Sequence, residues 1–373
     1  MIRRFMGRMG RNRMMIVGIV MLIVLGIGLV WCMDAYSQQT KIEEPHAEKN
    51  GIYFWKTQFY LDSTSIAFLK KHKIDRVYLR MFDVTEEPNM PDTLRAVPNA
   101  TVIVTNNFDP EYQYGEDMSY LEIVPTVFIT LDALRAMKCN EDILARNIAE
   151  RVSNMVSYNS LPQVGELQLD CDWTPSTELQ FFELCKKVKE NLKNMGLPWK
   201  LSATIRLHQL AKQAPPVDRG VLMVYNTGNF DDPDAKNSII DAEDVKPYMK
   251  YLSGYPLHID VAYPTYSWQL LFHGRKFIGL MNGVDVENVN KFEKKSEGIY
   301  VAKHNIPYNS GIIRTGDIVR VETSTFEDVA AVKRMIDTHL SGKTYSNILY
   351  QFDMKNLSKY SSDEIEQLYS TGR

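Results

Sequence analysis

The chain has 373 residues, 45% of them hydrophobic and 24% charged, with 20 tyrosines and a formal net charge of −3. That length excludes a minimal domain and fits one large α/β domain or two small ones. No basic surplus exists to release counterions from phosphate, so the charge balance gives no nucleic-acid partner.

The N-terminus stands apart. Arg3, Arg4, Arg8, Arg11 and Arg13 precede an uncharged run, 14–33, that ends at Asp34. Such a pattern is a secretory signal or a membrane anchor. The arginines hold the N-terminus in the cytoplasm, so the body is expected to be exported, either anchored or released. Ala35-Tyr36-Ser37 suits cleavage after Ser37, and the apolar run is long enough to span a bilayer uncleaved. Leu29-Val30-Trp31-Cys32 is a faint lipobox, with Trp31 where a small residue belongs. The expected organisation is 1–37 signal peptide or anchor, 38–50 polar linker, and 51–373 body. Five of the 43 basic and one of the 46 acidic residues fall within 1–37, which leaves 38 against 45 and a net of −7 for the rest. Cys139, Cys171 and Cys185 are odd in number and unclustered, so neither a disulfide framework nor structural zinc is expected.

Strand and helix patterns then alternate. Strand patterns lie at 52–58, 76–82, 101–105 or 123–130, 165–172, 200–208, 220–226, 258–264 and 347–353. Helix patterns lie at 63–72, 141–157, 176–195, 242–252 and 325–340, the last with Thr325 as its N-cap. Alternation of this kind implies parallel strands joined by right-handed crossovers. About eight such units predict a (β/α)8 TIM-type barrel. An open doubly wound sheet would want a glycine-rich first turn, and "YFWKTQFYLDST" has none; there is no Walker loop either, so no nucleotide cofactor is implied. The stretch 269–313 reads as a long irregular loop inserted after the seventh strand.

The fourth strand pattern, "GELQLDCDWTP" (165–175), alternates. Glu166, Gln168, Asp170 and Asp172 share one face, and Leu167, Leu169, Cys171 and Trp173 the other. In a barrel the apolar face meets the helices, which sends the polar set to the axis. The next strand repeats this, with Ser202, Thr204, Arg206 and His208 against Leu201, Ala203, Ile205 and Leu207. His258 and Asp260 do the same more weakly, and Tyr78 and Arg80 share one face of the second strand. A solvated antiparallel sheet would show the same alternation, but the intervening helices argue against it. Inward charges must pair, so part of this set is expected to be a purely structural ion network.

Barrel chemistry sits at the C-terminal ends of the strands. Those ends carry Trp55, Asp83, Asp172, Arg206, His208, Tyr225, Asn226, Tyr263, Tyr266, Trp268, Gln351 and Asp353. Carboxylates, amides and large aromatics together suit a carbohydrate.

Two of these strand ends carry a resemblance. "LDCDWTP" resembles the fourth-strand signature of family 18 glycoside hydrolases, the chitinase-like barrels, which ends in Asp-x-Asp-Trp-Glu. "LMVYN" (222–226) resembles their sixth-strand Met-x-Tyr-Asp. The order of "FW", "LQLDCDW" and "LSATIRL" resembles a group of exported bacterial barrels, domain of unknown function 3142. The resemblance implies a glycoside-hydrolase-like barrel that acts on or binds a glycan. It departs at two positions. The family's acid glutamate is Thr174 here, whose hydroxyl is no useful proton donor near neutral pH, and the family's aspartate after tyrosine is Asn226.

The remaining acids give the expected chemistry. Asp172 is assigned as general acid, Asp170 as the residue that orients it or shares its proton, and Asp353 as the opposing base or nucleophile. Arg206 and His208 would bind hydroxyls or balance charge, with Trp55 and Asn226 beside them. Tyr225, Tyr263 and Trp268 would form the sugar platform. Three rivals stay open: a binding barrel without catalysis, a metal-dependent hydrolase using His208, His258, Asp170, Asp172 and Asp260, and a membrane-tethered scaffold.

Overall fold

The computed structural model describes residues 48–105, 108, 117–309 and 311–370. The segment read as a signal or anchor, and most of the linker, lie outside these residues. Among the described residues no helix is long and apolar enough to cross a membrane. Cys139, Cys171 and Cys185 are free.

Seven strands run parallel in chain order: β1 (Asn50–Phe54), β2 (Ile74–Glu86), β3 (Glu122–Ile129), β4 (Glu166–Asp170), β5 (Lys200–Arg206), β6 (Arg219–Met223) and β7 (Ile259–Pro264). An insertion follows, built from β8 (Ser267–His273), β9 (Lys276–Met281), β10 (Phe292–Ser296), β11 (Ile299–Ala302) and β12 (Ile318–Thr323). The chain then returns to the ring as β13 (Asn347–Tyr350), which pairs with β7 on one side and β1 on the other. The eight parallel strands therefore close into a barrel, as the alternation of patterns predicts.

Helices coat the barrel: α1 (Ser63–Lys71), α2 (Leu131–Ala136), α3 (Glu141–Tyr158), α4 (Glu178–Asn194) and α5 (Phe326–His339). Short polar side chains start them. Asp62 accepts from the Ser65 N–H at 2.7 Å, and Thr325 from the Asp328 N–H at 3.1 Å, each satisfying a donor the helix cannot. Each long helix buries one stripe. In α3 this is Leu144, Ala145, Ile148, Ala149 and Val152, and in α4 it includes Phe181, Leu184, Cys185, Val188 and Leu192. The outward residues of the strands, Leu167, Leu169, Leu201, Ala203 and Ile205, join the same core. Gly220 on β6 is forced by this packing, because a Cβ there would lie 2.8 Å from both Ile205 and Ile259.

The interior is filled in tiers. At the N-terminal end lie Arg76, Glu166, Arg219 and Asp260, all buried. Arg219 meets Glu166 at 3.4 Å, and Arg76 meets Glu122 at 3.2 Å. The middle tier is aromatic and neutral. Tyr53 stacks on Tyr78 at 4.7 Å and donates to Gln168 at 2.7 Å, among Val124, Val221, Ala262 and Ile348. The C-terminal tier carries Asp170, Thr204 and Arg206.

The structure decides one open alternative and changes three expectations. The third barrel strand is Glu122–Ile129; the alternative at 101–105 supplies only Ile103–Val104, which pairs with Gln58–Phe59. The pattern at 242–252 is three short turns rather than one helix, with Pro247 inside the middle one, where a missing N–H prevents a continuous ladder. The last strand stops at Tyr350, since Asp353 already caps the turn Met354–Leu357. The stretch 269–313 is not an irregular loop. It contributes four strands to a five-stranded antiparallel sheet in the order β9-β8-β12-β11-β10, with its own small core around Leu271, Phe292, Tyr300 and Val319.

Candidate functional site

The site forms where β4, β5 and β6 end. Asp170 is the last residue of β4, and Asp172 follows it on the same side. Between and beyond them, Cys171 and Trp173 are fully buried outward, the indole lying 5.4 Å from Phe182 and 6.4 Å from Phe181 of α4. This anchor fixes the direction of both carboxylates. The Gln209 side chain then ties two strand ends together: its amide donates to the Trp173 carbonyl at 2.9 Å, and its oxygen accepts from the Arg206 N–H at 2.8 Å.

Arg206 is the centre of the constellation. Its Nη2 donates to Asp170 Oδ1 at 3.1 Å, and its Nε donates to Asp172 Oδ1. Thr204 Oγ1 donates to the same Asp170 oxygen at 2.6 Å. The guanidinium also lies 5.9 Å over the Tyr225 ring, an arrangement arginine's planar fork permits and lysine's point charge would not. Burial pushes the Asp170 carboxyl above its ordinary range, against the pull of Arg206. Asp172 differs, since its side chain is 53% exposed. Burial also lowers the His208 imidazole, with Asp172 opposing, which favours the neutral ring.

A cavity of about 340 Å3 opens over this group, lined by Asp172, Arg206, His208, Tyr225, Asn226 and Tyr248 among others. Among the described residues Asp172 is the one carboxylate in that lining. Asn226 holds a left-handed backbone, φ 52°, which asparagine tolerates better than most residues, and its Oδ1 accepts from the Tyr266 hydroxyl at 2.6 Å.

The structure thus brings together Asp170, Asp172, Arg206, His208, Tyr225 and Asn226. It does not bring in the others equally. Trp55 lies beside the mouth, but the Arg80 guanidinium sits 5.5 Å over its ring; Arg80 also pairs with Asp83, which it holds at 2.7 Å. Asp353 lies on another cavity. Its carboxylate meets Lys56 at 2.9 Å and accepts from the Asn356 N–H at 3.1 Å; burial raises it, yet those partners leave it below the usual range. Tyr263 faces outward, fully buried between barrel and helices. The alternation of β7 dictates this, because Asp260 and Ala262 take the inward positions. Trp268 starts the insertion and donates its Nε1 proton to Glu322 at 2.6 Å.

Thr174 lies in the turn that leads into α4. Its N–H donates to Thr177 Oγ1 at 3.0 Å, and its hydroxyl shares a hydrogen bond with Ser176 at 2.9 Å. The metal-ligand candidates are split between the two ends of the barrel: Asp260 is at the bottom, accepting from the Ser346 N–H at 2.7 Å, with His258 at 3.3 Å. Among the described residues no group of three or more His, Cys, Asp or Glu side chains is placed to hold a metal ion.

Sequence reading missed Tyr350 and Tyr248. Tyr350 stacks on Tyr225 at 4.5 Å, so Tyr225 is part of an aromatic wall rather than a free platform. Tyr350 could have been found from the inward parity of β13. Tyr248 lies in the turn Lys246–Tyr248, inside the stretch that reads as one helix, and nothing in that pattern marked it for the site.

No family model matches the chain, and no curated protein matches it in sequence. Solved structures match in fold. The C-terminal domain of a Desulfitobacterium hafniense protein described as a chitinase aligns with a TM-score of 0.51 at 8% identity, over 86% of this chain and 99% of that one. The chitinase of Chromobacterium violaceum aligns at 0.49 and 12% identity, over 86% and 98%. A family 18 N-acetylglucosaminidase from Paenibacillus barengoltzii aligns at 0.49 and 9%, over 86% and 99%. The class this defines is one of fold, a (β/α)8 barrel similar to that of the Desulfitobacterium hafniense domain.

Proposed function

We propose that the chain is an exported, glycan-binding barrel whose mouth holds a sugar without the two-carboxylate machinery of hydrolysis. The observation that carries this reading is the Asp170–Arg206–Asp172 group beneath a cavity that has one carboxylate in its lining. Glycoside hydrolysis by paired acids needs a second carboxylate across the bond. Asp353 is committed to Lys56, and Thr174 to the turn before α4. Sugar recognition needs less: hydroxyls take polar partners from Asp172, Arg206, His208 and Asn226, and Tyr248 offers a ring. The charged start and apolar run of the sequence support export and attachment to a membrane. The ordered motifs around Trp55, Asp172 and Arg206 support a place with the domain of unknown function 3142 group.

A second reading, hydrolysis with Asp172 as acid, is favoured by one observation. Burial raises Asp170, so a proton could be shared with its neighbour. Calorimetric titration of the full chain with chitooligosaccharides and other oligosaccharides, with product analysis, separates the two. Binding without turnover, lost in Asp172→Asn, is the expected result. Turnover lost in Asp172→Asn would establish the second reading, and no binding of any glycan would overturn both.

A further inference from the structure

A second cavity, about 490 Å3, lies between the insertion and the segment after β13. Trp268, Asp285, Asp353, Lys355 and Lys359 contribute to its walls. It is joined to the mouth through side chains. Asn226 lines the mouth cavity and accepts from the Tyr266 hydroxyl; the Tyr266 ring meets the Trp268 ring at 5.6 Å; Trp268 lines the second cavity. The indole is held in place from behind. Its Nε1 donates to Glu322, which is fully buried and paired with Arg320 at 2.7 Å. An aromatic ridge of fixed orientation therefore connects two polar cavities.

The charges of the two cavities differ in sign. At the mouth, one arginine is shared by two aspartates. At the second cavity Lys56 neutralises Asp353, which leaves Lys355 and Lys359 against Asp285. Among the described residues neither lysine is within ion-pair distance of a carboxylate. Lys359 Nζ donates instead to neutral oxygens, Asn356 Oδ1 at 3.1 Å and Ser267 Oγ. Burial lowers the Lys359 ammonium, and Lys355 adds to the effect. Asp353 opposes this from a distance but is already held by Lys56, so two cations with no carboxylate in contact are an arrangement that an arriving anion relieves.

We propose that this second cavity is a subsite for an acidic group on the glycan, and that the ligand is an anionic oligosaccharide that runs from the mouth across Tyr266 and Trp268. This inference rests on the glycan-binding reading of the mouth and names the ligand class. Lys355 and Lys359 take the anion, Trp268 supports a sugar ring, and Asp285 sits where it selects against excess negative charge.

The test titrates the full chain with an oligogalacturonate, a heparin-derived oligosaccharide and a neutral chitooligosaccharide, at low and high salt. At least one acidic probe should bind tighter than the neutral one, and added salt should weaken only the acidic probes. Lys355→Gln with Lys359→Gln should cost about tenfold or more for the acidic probe, the scale of a lost charge-assisted contact, and leave the neutral one unchanged. Lys359→Arg should keep most of the affinity, and Asp285→Asn should raise it. Binding of the oligogalacturonate shows that a carboxylate suffices, and binding of the heparin-derived probe alone, which carries both groups, points to sulfate. Equal affinities for acidic and neutral probes, or an unchanged double-glutamine variant, would overturn the inference while leaving the mouth reading intact. Loss of neutral-glycan binding in Asp172→Asn tests the mouth separately. If lysine-dependent acidic binding persists while Asp172→Asn changes nothing, the mouth reading falls and the second subsite stands.

Discussion

The two ends of the barrel use the same sequence device for opposite purposes. At the bottom, Arg76, Glu166, Arg219 and Asp260 point to the axis and are buried. At the mouth, Asp170 and Arg206 point to the axis one or two tiers higher, but Asp172 remains half in water. The bottom set pairs each arginine with one carboxylate, Arg76 with Glu122 on the next strand and Arg219 with Glu166 across β5. The mouth set shares one arginine between two acids beneath an open pocket. Alternation alone therefore reports that charges face inward. Height along the strand decides whether they seal the barrel or meet a ligand.

The largest way to break this comparison is at the bottom. Glu166→Met leaves Arg219 buried without its 3.4 Å partner, and should cost about 3–5 kcal/mol of stability in urea unfolding. Replacing Glu166 and Arg219 together by Met should cost less than the single change, because no charge is stranded. A single variant that loses under about 1 kcal/mol would mean the bottom pair does not seal the barrel.

At the mouth the balance is reversed. Asp172→Asn should shift unfolding by no more than about 0.5 kcal/mol, since the side chain is half exposed. Glycan affinity should nonetheless fall about tenfold or more, the scale of one charged contact. If stability falls and binding holds, Asp172 is a structural partner of Arg206 and the distinction between the two ends collapses.

Acid sharpens the contrast within the bottom tier. Burial raises Glu122, but Arg76 and Lys49 outweigh it and hold the carboxyl below its ordinary value. A depressed carboxyl stabilises the fold above its unfolded pKa, and that contribution fades as pH falls through the folded value. Glu166 is raised, chiefly by burial; its charged form is disfavoured, so its sign is opposite. Glu122→Gln should therefore be clearly less stable than the parent near neutral pH, and the gap should narrow as pH falls below the ordinary carboxylate range. A constant gap between the two unfolding curves would show that Glu122 acts through packing rather than charge.

Much of this architecture was legible in the sequence because periods of two and of 3.6 residues are written locally. The parallel ring, the inward face of β4 and β5, and the N-cap at Thr325 all follow from near neighbours. The insertion was not legible. Its strands, such as Phe292–Ser296 and Ile306–Tyr308, are short and carry many exposed or charged residues, so no clean period marks them, and the long-range pairing of β8 with β12 is written in neither segment. The site was legible in part for the same reason. Asp170, Asp172 and Arg206 stand on adjacent strands of clear parity, so their meeting could be read. That Asp353 would be taken by Lys56, a residue 297 positions earlier, could not be read from either segment.

Tyr263 provides the smallest test, and it bears on how far parity can be trusted. Tyr225 and Tyr263 both end barrel strands, yet Tyr225 continues the inward series and Tyr263 does not. Its hydroxyl is buried and has no hydrogen-bond partner among the described residues. Removing that hydroxyl relieves an unsatisfied polar group, so Tyr263→Phe should keep glycan affinity unchanged and raise stability by about 1 kcal/mol. Tyr225→Phe instead alters the wall beside Arg206 and should change affinity. If Tyr263→Phe weakens glycan binding, the ligand reaches a position that strand parity assigns to the outer core, and the inward–outward rule fails at this strand end.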